Sequence, residues 1–134
     1  MRKYYWVLTA LVVTLFMTTT TNASAAVSDS IEYKNLMYSK AFLHDSSLGP
    51  TKLVTNCRNT SGWLQNVYLE RSVAGGWKVE KSSSINCGWW SYQHDEIKWL
   101  TDNTGNYLPK GTYRFVFQNQ SGTNSTTYMN YTIY

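Results

Sequence analysis

The sequence predicts an all-β protein, a small two-sheet antiparallel β-sandwich of about seven strands closed by one disulfide. Three observations predict it. Several segments alternate apolar and polar residues and are rich in Val, Tyr, Trp, Phe and Thr, the side chains that suit a pleated surface. Turn signals built from Gly, Asn and Ser recur at roughly the 8 to 12 residue spacing of a sandwich or barrel. Two cysteines, Cys57 and Cys87, have no third partner.

The strands are read in chain order. "SIEYKNLMYS" (Ser30–Ser39) opens the series, followed by "TKLVTNC" (Thr51–Cys57), "WLQNVYLER" (Trp63–Arg71) and "WKVEK" (Trp77–Lys81). Part of "GWWSYQHDEIKWL" (Gly88–Leu100) is the next, and "TYRFVFQ" (Thr112–Gln118) and "TTYMNYTIY" (Thr126–Tyr134) end it. Between them lie "RNTSG", "AGG", "DNTGNYLPKG" and "NQSGTNS". In "AGG", Gly75 and Gly76 supply the positive φ values that a tight hairpin requires. No segment carries a convincing helical period.

Side chains of a strand alternate sides, so parity assigns faces. Met129, Tyr131 and Ile133 are expected to point inward, as are Tyr113, Phe115 and Phe117, and as are Trp63, Val67 and Leu69. In the stretch around Trp89 neither parity is cleanly apolar. A bulge or loop is expected near Gln93 to Glu96, with one of Trp89 and Trp90 in the core and the other toward solvent. The phrase "LPKGTYRFVFQN" resembles the closing strands of immunoglobulin-like or jelly-roll extracellular domains, in which a Pro/Gly loop delivers an aromatic-rich strand. The resemblance is a general feature of β-sandwiches and implies that architecture without implying a particular family.

The amino-terminal segment reads as a signal peptide. Arg2 and Lys3 form a short basic start, Tyr4 to Met17 an apolar core, and Ala23-Ser24-Ala25 a small-x-small cleavage site. The expected division is 1–25 as signal peptide, with cleavage after Ala26 as the near alternative, and 26–134 as one secreted domain. The apolar run is shorter than the roughly 20 residues of a membrane span, so no stable span is expected after cleavage. This leader resembles those of Gram-positive bacteria. About 108 residues remain, enough for one core and too few for two.

Charge and cysteine usage narrow the function classes. Without Arg2 and Lys3, 10 basic residues face 8 acidic ones, and the net charge falls from +4 to +2. That is no footprint for nucleic acid. In an oxidising compartment Cys57 and Cys87 form a structural disulfide, worth about 3.5 kcal/mol for a loop of this length in the chain-entropy treatment. No metal or cofactor is expected. No C-x-x-C spacing and no histidine ligand pattern is present, and no serine sits in a nucleophile elbow. His44-Asp45 and His94-Asp95 are the strongest hints of acid-base chemistry. Neighbours on a strand point to opposite faces, however, so a catalytic role is not expected.

Aromatic residues carry the functional expectation. Trp63, Trp77, Trp89, Trp90 and Trp99 with nine tyrosines are more ring area than a core of this size hides. Trp89, Trp90, Tyr92 and Trp99 are the candidate binding residues, for stacking on sugars or anchoring a protein surface. The expected function is a non-enzymatic extracellular binding domain, its ligand a cell-envelope or extracellular polysaccharide. The alternatives are a bacteriocin-type antimicrobial or toxin-like protein acting on competitor envelopes, and an inhibitor of an extracellular enzyme. Four Asn-x-Ser/Thr triplets, at Asn59, Asn119, Asn124 and Asn130, read as by-products of a surface rich in Asn, Ser and Thr.

Overall fold

The structure, a computed structural model, describes residues 26–134. The predicted signal peptide therefore lies outside the described residues. The alternating segments become β1 (Val27–Tyr33), β2 (Leu36–Tyr38), β3 (Phe42–His44), β4 (Thr51–Asn59), β5 (Gln65–Val73), β6 (Gly76–Ile85), β7 (Gly88–Trp89), β8 (Gln93–Trp99), β9 (Gly111–Asn119) and β10 (Thr127–Ile133). A single 3-10 turn at Ser46–Leu48 is the one helical element among the described residues.

Ten strands replace the expected seven because two segments that read as continuous are each broken in two, one of them by a change of sheet, and because a short strand, β3, is added. The Ser30–Ser39 segment breaks at Lys34-Asn35, so that β1 pairs with β10 in one sheet and β2 with β9 in the other. Gly88–Leu100 divides at Trp90 to Tyr92, upstream of the expected break at Gln93 to Glu96, and β8 runs unbroken from Gln93. The three residues of β3 are too few to show a period. The first sheet has the order β1-β10-β4, with β7 and β8 both on the far edge of β4. The second has β6-β5-β9, with β2 and β3 on the far edge of β9. All pairings are antiparallel except the two-residue ladder of β4 with β7.

Parity placed most of the core correctly. Met129, Tyr131 and Ile133 join Leu53 and Cys57 from the first sheet, facing Val67, Leu69, Ile85, Tyr113, Phe115 and Phe117 from the second. The rings form a continuous stack: Phe42 to Phe115 at 5.5 Å, Phe115 to Phe117 at 6.4 Å and Phe117 to Tyr131 at 5.7 Å. Each such side chain contributes about 1.5–3 kcal/mol by leaving water.

Trp63 is a correction. It was expected inward, yet it lies outside β5 and is half exposed, while Gln65 takes the inward position and is fully buried. The first ladder pairs of β5 begin at Gln65, opposite Asn119 and Ile85, so Trp63 still belongs to the loop that turns outward. Burial of Gln65 is tolerated because both ends of its amide are bonded: Tyr33 Oη donates to Oε1 at 2.9 Å, and Nε2 donates to the Trp63 carbonyl at 3.0 Å.

That amide belongs to a polar layer closing one end of the sandwich. Asn59 Nδ2 donates to Ser125 Oγ and Thr127 Oγ1, both at 2.9 Å, and Asn119 Nδ2 donates to the Ser125 carbonyl at 3.1 Å. The Oδ1 atoms of the two asparagines accept from the amides of Ser61 and Ser121, two residues on in each case. The sequence reading placed these triplets on the surface. Asn59 and Asn119 are instead buried, fixing the loops that follow β4 and β9.

At the opposite end His44 is buried, with Nδ1 2.6 Å from Thr51 Oγ1 and Nε2 unpaired. Burial holds its imidazole below the ordinary value of 6.5, against an opposing pull from Asp45. The unfolded chain therefore binds a proton that the folded chain refuses, and stability is lost as pH falls through the unfolded value. Chemical denaturation at a series of pH values is expected to show a midpoint that is flat above pH 7 and declines from about pH 6.5. His44→Gln is expected to flatten that decline while leaving the separate loss below about pH 4.5, where carboxylates protonate.

Candidate binding surface

The Cys57–Cys87 bridge forms as expected. Cys57 is a buried residue of β4 in the first sheet, and Cys87 follows β6, the edge strand of the second. The bridge thus pins the segment that crosses between sheets. Immediately beyond it, Gly88 and Trp89 pair with Arg58 and Asn59, and the chain turns through Trp90 and Ser91 before β8 begins.

This turn is tightly built. A Cβ at residue 88 would collide with the Ser91 carbonyl oxygen, so only glycine fits there. Trp89 lies against Gly62, where an added Cβ would stand 3.0 Å from its own Cβ, and its indole Nε1 donates to the Thr60 carbonyl at 3.2 Å. Thr60 and Gly62 belong to the loop held by Asn59. Trp90 has φ 69° and is the one non-glycine among the described residues with positive φ. A bulky residue in that region costs about 1–2 kcal/mol.

The outcome is exposure of large rings. Trp89, Trp90 and Tyr92 are 61%, 78% and 52% exposed, and the two indoles are 5.7 Å apart. Neither tryptophan enters the core, contrary to the expectation that one would. Trp89 pairs with Asn59 at the edge of β4 and is held by the loop that follows it, through the Thr60 carbonyl and Gly62. Trp99 is a further correction. It occupies the inward parity of β8 with Ile97, is 7% exposed and packs 5.7 Å from Phe115. It serves the core and is not part of a surface.

From this turn the outer face of the first sheet extends as ordered rows. Glu32, Tyr128 and Arg58 are register neighbours, as are Ser30, Asn130, Asn56 and His94 in the next row. An open groove of about 240 Å3 is lined by Tyr92 on one side, Ser30 and Glu32 on the other, and Tyr128 and Asn130 between them. Its polar groups are oriented: Ser30 Oγ donates to Asn130 Oδ1 at 2.7 Å, and His94 Nδ1 lies 3.2 Å from Asn56 Oδ1. Arg58 stacks on the Tyr128 ring at 4.4 Å and stands 5.7 Å from the Tyr92 ring. Sequence parity had placed Tyr128 and Asn130 outward but attached no role to them. Arg58 was missed because the predicted strand stopped one residue short of it.

The arrangement offers flat rings, amides and hydroxyls, with few titratable groups in reach of one another. His94 and Asp95 point to opposite faces of β8, and Asp95 accepts from the Asn86 amide. Glu96 is held between Lys52 at 3.0 Å and Lys98 at 3.1 Å, and both keep its carboxyl below the usual range. Among the described residues no group of three or more His, Cys, Asp or Glu converges on a point where a metal ion would sit. Nor is any helix of the described residues long and apolar enough to cross a membrane.

No protein-family model matches the chain, and no curated protein matches it in sequence. Six solved chains are similar in shape, among them these two. TmCBM61, determined in complex with beta-1,4-galactotriose, shares 11% identity over 80% of this chain and 69% of its own, with a TM-score of 0.43. A family two carbohydrate esterase from Cellvibrio japonicus shares 11% identity over 81% of this chain and 33% of its own, with a TM-score of 0.35. Both TM-scores are below 0.5, so neither likeness bears on what this chain does.

Backbone strain at Trp90 has a measurable consequence. Trp90→Gly is expected to raise the unfolding free energy by about 1 kcal/mol, because glycine adopts this φ freely and the exposed indole contributes little packing. Gly88→Ala is expected to lower it by about 1–3 kcal/mol through the clash with Ser91. Urea denaturation of both variants checks the pair.

Proposed function

We propose that this chain is a secreted, extracellular binding domain that holds a polysaccharide without transforming it. The ligand lies against Trp89, Trp90 and Tyr92 and continues into the groove over Tyr128 and Asn130. One observation carries the reading: the fold holds Trp90 in a strained conformation and leaves it, with its neighbour Trp89, largely exposed to water. Folding alone favours neither feature, since strain opposes stability and an exposed indole forgoes burial. Strain that persists in this way is a mark of function.

The chemistry of the surface selects the ligand class. Indole and phenol rings stack on the apolar faces of sugar rings, and Ser, Asn and His side chains match sugar hydroxyls through paired donors and acceptors. Rigidity adds affinity, because rings already fixed by the Thr60 hydrogen bond and the Gly62 contact lose little entropy on binding. The disulfide fits an oxidising compartment, which, with the leader expected at 1–25, supports an extracellular location.

The test is retention of the purified, disulfide-bonded protein on insoluble peptidoglycan, chitin and cellulose. At least one polymer is expected to retain it, and Trp89→Ala, Trp90→Ala and Tyr92→Ala are each expected to weaken retention by about 1–3 kcal/mol without lowering the melting temperature by more than a few degrees. Unchanged retention in all three variants would remove the turn from the site. No retention on these polymers and no affinity for a soluble acidic polysaccharide would together defeat the carbohydrate reading and direct the search to a protein target.

A further inference from the structure

Each outer face of the sandwich carries an arginine stacked on aromatic rings, and the two differ in one respect. On the second sheet Arg114 lies 4.0 Å from the Tyr38 ring and 4.2 Å from the Trp77 ring, with Nε and Nη2 each 2.8 Å from Glu70 Oε2. On the first sheet Arg58 is stacked in the same manner on Tyr128, with Tyr92 beside it. No carboxylate closes on it. Arg58 forms no ion pair among the described residues, and its Nε, shielded from solvent, has no hydrogen-bond partner.

Nearby carboxylates are accounted for. Glu32 shares the row of Arg58 two strands away, their backbones about 10 Å apart at ordinary strand spacing, and it forms no ion pair with the guanidinium. Gly88, the neighbour on the other side, has no side chain. Glu96 is held by two lysines, and Asp95 has the inward parity. The guanidinium is thus oriented by rings, partly desolvated and left without a counter-ion, a state in which its bonds to an incoming anion are strong and directional.

We propose that Arg58 is the anion-reading residue of this surface and that the polysaccharide is acidic, its carboxylate or phosphate supplying to the guanidinium the counter-ion that Glu70 supplies to Arg114. This rests on the carbohydrate-binding reading above and names the ligand class within it. The sugar ring bearing the anion stacks on Tyr92 or Tyr128, so that aromatic contact and charge are read together. A neutral polymer of the same backbone satisfies the rings and leaves the guanidinium unpaired.

The experiment measures the affinity of the disulfide-bonded protein for polygalacturonate, its carboxyl-reduced neutral product, and a phosphomannan. One acidic polymer is expected to bind and the neutral product is not, and the acidic polymer that binds tells carboxylate from phosphate. Arg58→Gln is expected to weaken binding at least about tenfold. Lys34→Gln, which removes the same charge from an exposed residue between β1 and β2, is expected to change it by less than about twofold. Arg58→Lys, which keeps charge without the planar fork, is expected to fall between them and serves alone if Arg58→Gln does not fold. Equal affinity for the acidic and reduced polymers, or equal losses in the Arg58 and Lys34 variants, overturns the inference. So does retention on a neutral insoluble polymer with no affinity for either acidic one, an outcome that leaves the carbohydrate reading standing. No binding to any polymer overturns both.

Discussion

The Cys57–Cys87 bridge is the constraint on which the arrangement of this molecule depends. It joins a residue in the interior of β4 to the point where the chain leaves β6 and crosses from one sheet to the other. Without that tie the crossing segment would be secured by a two-residue parallel ladder, one of the shortest pairings in the fold, and by the few side-chain contacts of Asn86 and Trp89. With it, the start of the Gly88–Tyr92 turn is fixed to the core at a covalent bond's precision. The same bond also shortens the unfolded chain's reach, so one link serves stability and the geometry of the surface together.

A second constraint acts from below the turn. The polar layer of Gln65, Asn59, Asn119 and Ser125 closes one end of the sandwich with every amide bonded, which is the condition for burying polar groups without loss. It fixes the Thr60–Gly62 loop that supports Trp89. The strain at Trp90 is carried by a turn anchored on both sides, through the bridge at Cys87 and the ladder of β8 on β4.

The two outer faces show how similar side chains come to different ends. Arg114 is part of a closed assembly, its charge neutralised by Glu70 and its faces covered by Tyr38 and Trp77. Such a group adds to the packing of the second sheet and has nothing left to offer a ligand. On the first sheet the carboxylate is missing, the groove is open and the strained aromatic turn lies alongside. The two sheets are alike in strand number, and the difference between their arginines is the asymmetry on which the proposed binding face rests.

Much of this architecture was written in local pattern. Period-two alternation gave the long strands and the inward sets of β9 and β10, because a strand's faces depend on parity alone. The disulfide followed from counting, since two cysteines allow one pairing. What parity could not decide was where a strand ends: the break at Lys34-Asn35, where the chain changes sheet, and the Trp90–Tyr92 turn, where it returns to the same sheet, interrupt apolar alternation only slightly, and the cost or gain of each depends on partners more than 80 residues distant along β10 or on β4 across the bridge. The candidate site divides in the same way. Aromatic excess singled out Trp89, Trp90 and Tyr92, whereas Trp99 was sorted into the core and Trp63 out of it by strand register, which no short stretch of sequence contains. Arg58 acquires its meaning from an absence, the lack of a carboxylate on two neighbouring strands, and only tertiary structure can bring those strands together.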